Sequence, residues 1–134
     1  MRTALALTLT FTTLTACQDS DPFDEAAYFR GDNRNRVFVL TAAPGTSTRD
    51  VLTEAEAQSH TAGRFTAVFV FEADSAPGVA NAVTLASNYQ SAIDLVYSPG
   101  LAGWRWRFMR SPDGGTDWTD CQNPRGHEEL CNLR

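Results

Sequence analysis

The chain contains no lysine: its eleven basic residues are all arginine, set against sixteen acidic ones, for a formal charge of −5 at neutral pH. A GC-rich genome accounts for that bias without appeal to function. The absence still removes a lysine-bearing phosphate loop. The acidic balance argues against nucleic-acid binding, because basic contacts to the phosphate backbone supply most of that affinity. No apolar run reaches the ~20 residues needed to span a hydrocarbon core. Histidine is limited to His60 and His127, and cysteine to Cys17, Cys121 and Cys131. No serine stands in a nucleophile-elbow setting, and no catalytic set is recognisable. The expectation is a non-catalytic protein that needs no cofactor or metal.

What is present begins with MRTALALTLTFTTLTAC, residues 1–17. Arg2 precedes an uncharged stretch from Ala4 to Ala16, the length of a signal-peptide apolar region rather than a membrane span. Leu14-Thr15-Ala16-Cys17 resembles a bacterial lipobox, in which small residues precede a cysteine that is lipidated and becomes the new N-terminus. The resemblance covers these seventeen residues only. It implies a signal peptide over 1–16, an acylated Cys17, and attachment to the cell envelope through several lipid chains, which together hold far more firmly than one. Gln18 stands where an Asp resembles an inner-membrane retention signal, so the resemblance implies the outer membrane, facing the periplasm.

With Cys17 committed to lipid, Cys121 and Cys131 are left as a pair in an exported chain and are expected to form a disulfide. A zinc site recruiting His127 matches no standard ligand spacing. Residues 17–35 read as a tether: Asp19, Asp21, Asp24 and Glu25 cluster first, and Gly31, Asp32, Asn33 and Asn35 follow. Low apolar content predicts disorder for much of this segment. Phe23, Tyr28 and Phe29 suggest at most a turn of helix at 23–29 that docks on the domain.

Residues 36–134 are sized for a single domain. Val37–Ala42 and Phe65–Phe71 are apolar at both parities, which predicts strands buried on both faces. Between them Ser47 and Asp50 form a cap pattern, Val51, Leu52, Ala55, Gln58 and Ala62 form a weak stripe, and Gly63 ends the segment. Gly45-Thr46-Ser47-Thr48 is read as capping rather than as an anion loop. Ala-Pro-Gly recurs after both strands, at 43–45 and 76–78, which agrees with two successive strand-helix units and a parallel, right-handed crossover. A second helix is predicted from Asp74 or Ser75 with Pro77 in its first turn. Val79, Val83, Ala86, Tyr89, Ile93, Val96 and Tyr97 form its inner side, and Ser98-Pro99-Gly100 stops it.

Trp104 to Arg110 alternates as a strand, with Trp104, Trp106 and Phe108 on one face and Arg105, Arg107 and Met109 on the other. The aromatics are expected in the core and the arginines on a half-exposed edge that guards against aggregation. A turn at Ser111–Gly115 returns the chain through Thr116–Cys121, which carries Trp118, and a disulfide loop closes the domain. The expected class is α/β, a small mixed sheet of about four strands and two helices in the order β-α-β-α-β-β. A ferredoxin-like two-layer α+β sheet is the alternative.

Functionally, the sequence points to a lipid-anchored envelope protein that binds another envelope component. The candidate surface is Arg105, Arg107, Arg110 and Trp118, residue types enriched at interface hot spots. The alternative is a glycan or peptidoglycan-binding module that stacks sugars on Trp104, Trp106 or Trp118. A small hydrolase using Glu72 and Asp74, at the strand end where open α/β sheets bind ligands, ranks below both. His60 is expected at the surface without a partner, and His127, beside Glu128 and Glu129, as exposed polar sequence.

Overall fold

The computed structural model describes residues 20–133 except 76, 77, 79 and 102. Signal peptide, lipobox, Cys17, Pro77 and Val79 therefore lie outside the described residues. The elements are β1 (Phe23–Arg30), β2 (Arg36–Ala42), α1 (Thr48–Ala57), β3 (Thr66–Glu72), 3-10 turns at Ala73–Ser75 and Ala80–Leu85, α2 (Tyr89–Val96), β4 (Trp106–Arg110), β5 (Thr116–Asp120) and α3 (Glu128–Cys131). They build one five-stranded mixed sheet whose spatial order follows the chain. Only β2 and β3 pair in parallel; every other neighbouring pair is antiparallel.

The doubly apolar strands do what their composition requires. Val37 and Val39 of β2 join Ala67, Phe69 and Phe71 of β3 in one core, completed by Val83, Ala92, Val96, Leu101 and Trp104. Phe38 and Leu40 join Val68 and Val70 in a second core on the opposite face, under Val51 and Ala55 of α1. Each such fully buried aliphatic or aromatic side chain removes apolar surface from water worth roughly 1.5–3 kcal/mol. Because helical segments cover both faces, and because strand order follows the chain, the two-layer ferredoxin-like alternative is excluded.

Five expectations are corrected. Residues 23–30, read as tether or helical turn, form an additional strand, β1. Ala27 and Phe29 are buried against the first core, and the Tyr28 ring lies 4.8 Å from that of Phe38 across β2. Composition measured the segment alone and missed that β2 supplies both its ladder and its apolar partners.

The long second helix is instead a 3-10 turn followed by a short α2. Asn88 is extended (φ −159°, ψ 173°) and makes a reciprocal capping box with Ser91, which starts a new helix there. The inner stripe is nevertheless right: Val83 and Val96 are buried, with Ala86, Tyr89, Ile93 and Tyr97 packed beside them. Helix α1 is capped by Ser47 as expected, its Oγ accepting from the Asp50 N–H at 3.1 Å, but it ends at Ala57 rather than near Gly63.

Trp104, Trp106 and Phe108 are all core residues, yet Trp104 lies on the opposite face from the other two. The Arg105 N–H donates to the Val70 carbonyl at 2.9 Å, although Val70 already faces Trp106. Two residues thus oppose one, as in a bulge, and parity flips between Trp104 and Trp106. Nor is β4 an edge: β5 covers it, so its arginines guard nothing.

Candidate binding site along the C-terminal edge

The two sheet edges differ. β1 is interrupted between Glu25 and Ala27, and the outward Tyr28 N–H donates to Thr84 Oγ1 at 3.4 Å. Both features blunt an edge against further pairing. β5 forms the other edge. Arg105 pairs with Cys121, and Ser111 with Gly115, through N–H···O bonds of 2.8 Å. Alternation then turns the N–H and C=O of Asp117 and Thr119 toward β4, and those of Thr116, Trp118 and Asp120 outward. The Asp120 carbonyl accepts from the Asn123 N–H at 2.9 Å. Among the described residues, no group of the chain meets the outward pair of Trp118.

Along this edge lies an open cavity of about 350 Å³, lined by β5 and by Asn123, Pro124, Arg125 and His127 of the following loop. The Cys121–Cys131 disulfide, expected from the sequence, closes that loop, with Cα atoms 5.4 Å apart. Trp118 is 44 % exposed here, whereas Trp104 is fully buried and Trp106 is 2 % exposed.

The arginines do not form one surface. Arg105 stacks on the Trp106 ring, 4.0 Å from its centre, and pairs with Glu72 and with Asp120, the latter at 3.3 Å. Asp120 also accepts from Thr48 Oγ1 at 2.8 Å, and the Trp106 indole N–H donates to the same hydroxyl at 3.1 Å. Burial by itself would raise the Asp120 pKa. The Gln122 N–H, the Thr48 hydroxyl and Arg105 together outweigh burial and hold the pKa below the usual carboxylate range.

Arg107 points to the other face and is 9 % exposed. It pairs with Asp117 and reaches the Tyr97 hydroxyl at 3.5 Å, while His127 Nε2 stands 3.6 Å from Asp117. Arg110 lies over the Phe108 ring at 5.6 Å and donates to the Glu56 carbonyl at 3.5 Å. Arg105 and Arg107 are thus held in separate internal networks, and of the expected surface Trp118 is the residue that faces the cavity.

The cluster of Tyr97, Arg107, Asp117 and His127 carried no sequence signal. Its members come from the end of α2, two strands and a loop, and only the fold brings them together. His60, expected without a partner, has one: its Nδ1 lies 2.8 Å from Thr66 Oγ1. Glu72 is engaged by Arg105, and Asp74 is exposed in the 3-10 turn that follows. The 45–48 segment caps α1, with the Thr46 hydroxyl donating to the Ala43 carbonyl at 2.6 Å. Among the described residues, no three His, Cys, Asp or Glu side chains are grouped to hold a metal, and no helix is long and apolar enough to cross a membrane.

Fold and site define a disulfide-bearing mixed α/β domain with one protected and one open sheet edge. No family model, curated protein or solved structure matches the chain.

Proposed function

We propose that the protein is a non-catalytic, lipid-anchored component of the bacterial envelope whose domain captures an extended segment of another envelope protein along β5. The observation that carries this reading is the open β5 edge. There the outward backbone groups of Trp118 lie beside an exposed indole and a loop held by a disulfide. An extended peptide added to a sheet edge gains ladder hydrogen bonds, and pockets beside the edge give specificity. Trp118 supplies a rigid aromatic anchor of the kind that dominates interface energies. Acylation of Cys17 keeps the domain at the outer membrane, on the periplasmic side, with a spacer of only a few residues before β1.

A second reading has one observation in its favour. The exposed Trp118 ring shares its cavity with Asp117, Asn123, Arg125 and His127, polar partners of the kind a stacked sugar requires. Burial of Trp104 and Trp106 leaves this glycan reading with a single stacking platform.

The test is in-cell crosslinking of the full-length protein, followed by capture and mass spectrometry. Wild type should retain one dominant envelope protein. Trp118→Ala should reduce that capture by about thirtyfold, the scale of a hot-spot residue, with an unchanged unfolding midpoint. Equal capture by the variant overturns the edge assignment, and peptidoglycan fragments in place of a protein favour the glycan reading. Cys17→Ser should abolish metabolic labelling with palmitate; retained label would refute the anchor.

A further inference from the structure

At the opposite end of the sheet from the Arg105 network, one transverse row of residues is unusually cationic. Arg30 of β1 faces Arg36 of β2, Arg36 faces Thr66 of β3, Thr66 faces Arg110 of β4, and Arg110 faces Thr116 of β5. Directly opposed residues share a sheet face. This is the α1 face, because Phe38, Val68 and Phe108, each two positions along its strand from the row, belong to the core beneath α1. His60 joins the row from the segment after α1, through Thr66.

Three features of the row are costly for an acidic protein. Like charges directly across a ladder are destabilising, and Arg30 opposite Arg36 is such a pair. Nε and Nη1 of Arg36 are buried without a hydrogen-bond partner. A buried donor left unmet forfeits its hydration with no return. Among the described residues, no carboxylate stands within ion-pair distance of Arg30, Arg36 or Arg110. By contrast Arg105 and Arg107 are both paired.

Beside the row is an open cavity of about 430 Å³, lined by His60, Ala62, Arg110 and Thr116 together with the 112–114 turn. Asp113 lies on its far lip, where its carboxylate accepts from the Ser111 hydroxyl and from the Gly115 N–H and is held within its own turn. Burial, then Arg110 and Arg36, lower the pKa of His60, consistent with positive potential at this spot.

We infer that this row is a binding site for a phosphate-class oxyanion, seated in the cavity between His60 and the 111–115 turn. Arg110 and the Thr116 hydroxyl contact it directly, and Arg36, which faces Thr66 across the β2–β3 ladder, reinforces the field. Two guanidinium groups, those of Arg110 and Arg36, against one engaged carboxylate favour a dianionic group such as a phosphate monoester over a lone carboxylate. Charge-assisted N–H···O bonds are about twice as strong as neutral ones, and planar guanidinium groups suit phosphate. The site touches β5 only at Thr116, the first residue of that strand, and does not use Trp118. β1 runs from Phe23, the end nearer the proposed anchor, to Arg30 at this row, roughly 23 Å away at the usual strand rise, so the choice of ligand source rests on the anchor reading. That separation points to a soluble phosphate ester rather than to the headgroups beneath the anchor.

The test is a titration of the full chain in nonionic detergent with inorganic phosphate, read by amide NMR shifts at His60, Thr66 and Thr116. Chloride added to equal ionic strength serves as reference. Saturable shifts with phosphate alone are expected. Arg110→Gln should weaken binding about tenfold, the effect of losing one hydrogen bond to a charged group, and Arg36→Gln, which removes a charge that does not touch the ligand, should weaken it less. Arg49→Gln, an exposed arginine on α1, should leave it unchanged and so controls for net charge. If Arg36→Gln loses its dispersed spectrum, Arg110→Gln alone decides. Linear shifts shared with chloride, or unaltered binding by Arg110→Gln, would overturn the site. Shifts seen only with phosphatidylglycerol vesicles would overturn the soluble ligand.

Discussion

Asp120 shows how a single carboxylate ties distant parts of this chain together. It accepts from Thr48 at the start of α1, from Arg105 ahead of β4 and from the Gln122 N–H beyond β5, so it links helix, sheet and loop. Its side chain is 8 % exposed, and hydrogen bonds to a buried charge are worth more than neutral ones. Because its folded pKa is depressed, the ionised form adds stability above its unfolded pKa. That stability is lost as pH falls through the lower, folded value. Asp120→Asn is therefore expected to lower unfolding free energy at neutral pH by roughly 1–3 kcal/mol, measured by urea denaturation. The gap from wild type should close in acid, once the wild-type carboxyl is protonated. A gap that stays constant down to the acid limit would show that ionisation contributes nothing.

Among the elements, the C-terminal loop depends most on a single covalent link. α3 is a four-residue helix whose cap residue, His127, makes no side-chain capping bond, and it buries no residue. Propensity does not hold a helix that short, and its packing is limited to the partly buried Leu130 against the first core. The Cys121–Cys131 bond closes a loop with a sequence separation of 10, worth roughly 3 kcal/mol in the chain-entropy model. Reduction should lower the melting temperature by roughly 10–20 °C for a domain of this size. Hydrogen exchange should accelerate first over 122–130, with the β2 and β3 amides following only on global unfolding. Uniform acceleration would mean that the loop and the sheet open as one unit. The loop lines the β5 cavity, so the same reduction removes one wall of the proposed site.

At the scale of the whole molecule, two cores sandwich one sheet, and the three tryptophans report on that arrangement. Trp104 lies in one core and Trp106 in the other, while Trp118 stands at the open edge. Acrylamide should quench about one third of native tryptophan fluorescence readily and the rest only after denaturation, if the three emit alike. Trp118→Phe should leave an emission that resists quencher. Easy quenching in that variant would disprove the two-sided core. The two edges extend the same picture: β1 is bulged and capped by Thr84, whereas β5 retains outward backbone groups beside an aromatic ring.

The α/β class, the parallel β2–β3 pair, the capped first helix, the β4–β5 hairpin and the Cys121–Cys131 bond were all legible in residue order. Each rests on a local pattern: apolar residues at both parities, a Ser47–Asp50 cap, turn residues at 111–115, or a cysteine count. The β1 strand was not legible, because its stability lies in the partner strand. Asn88 could be read as a second cap only once the helix was seen to break there. Alternation placed Trp104 beside Trp106 because no periodicity can announce an inserted residue opposite Val70. Arg105 and Arg107 looked like one exposed stripe, and the sheet sends them to opposite faces, pairing Arg105 with Glu72 and Asp120 and Arg107 with Asp117. The sequence by itself determined which segments could be strands, helices and a crosslinked loop, since those depend on neighbours along the chain. Only the tertiary structure decided which charges meet, with Arg105 and Arg107 neutralised and Arg30, Arg36 and Arg110 left in one row. The physical reason is that these meetings depend on strand pairing and register, which join residues 10 to 33 positions apart in the two ion-pair networks, beyond the reach of a local pattern.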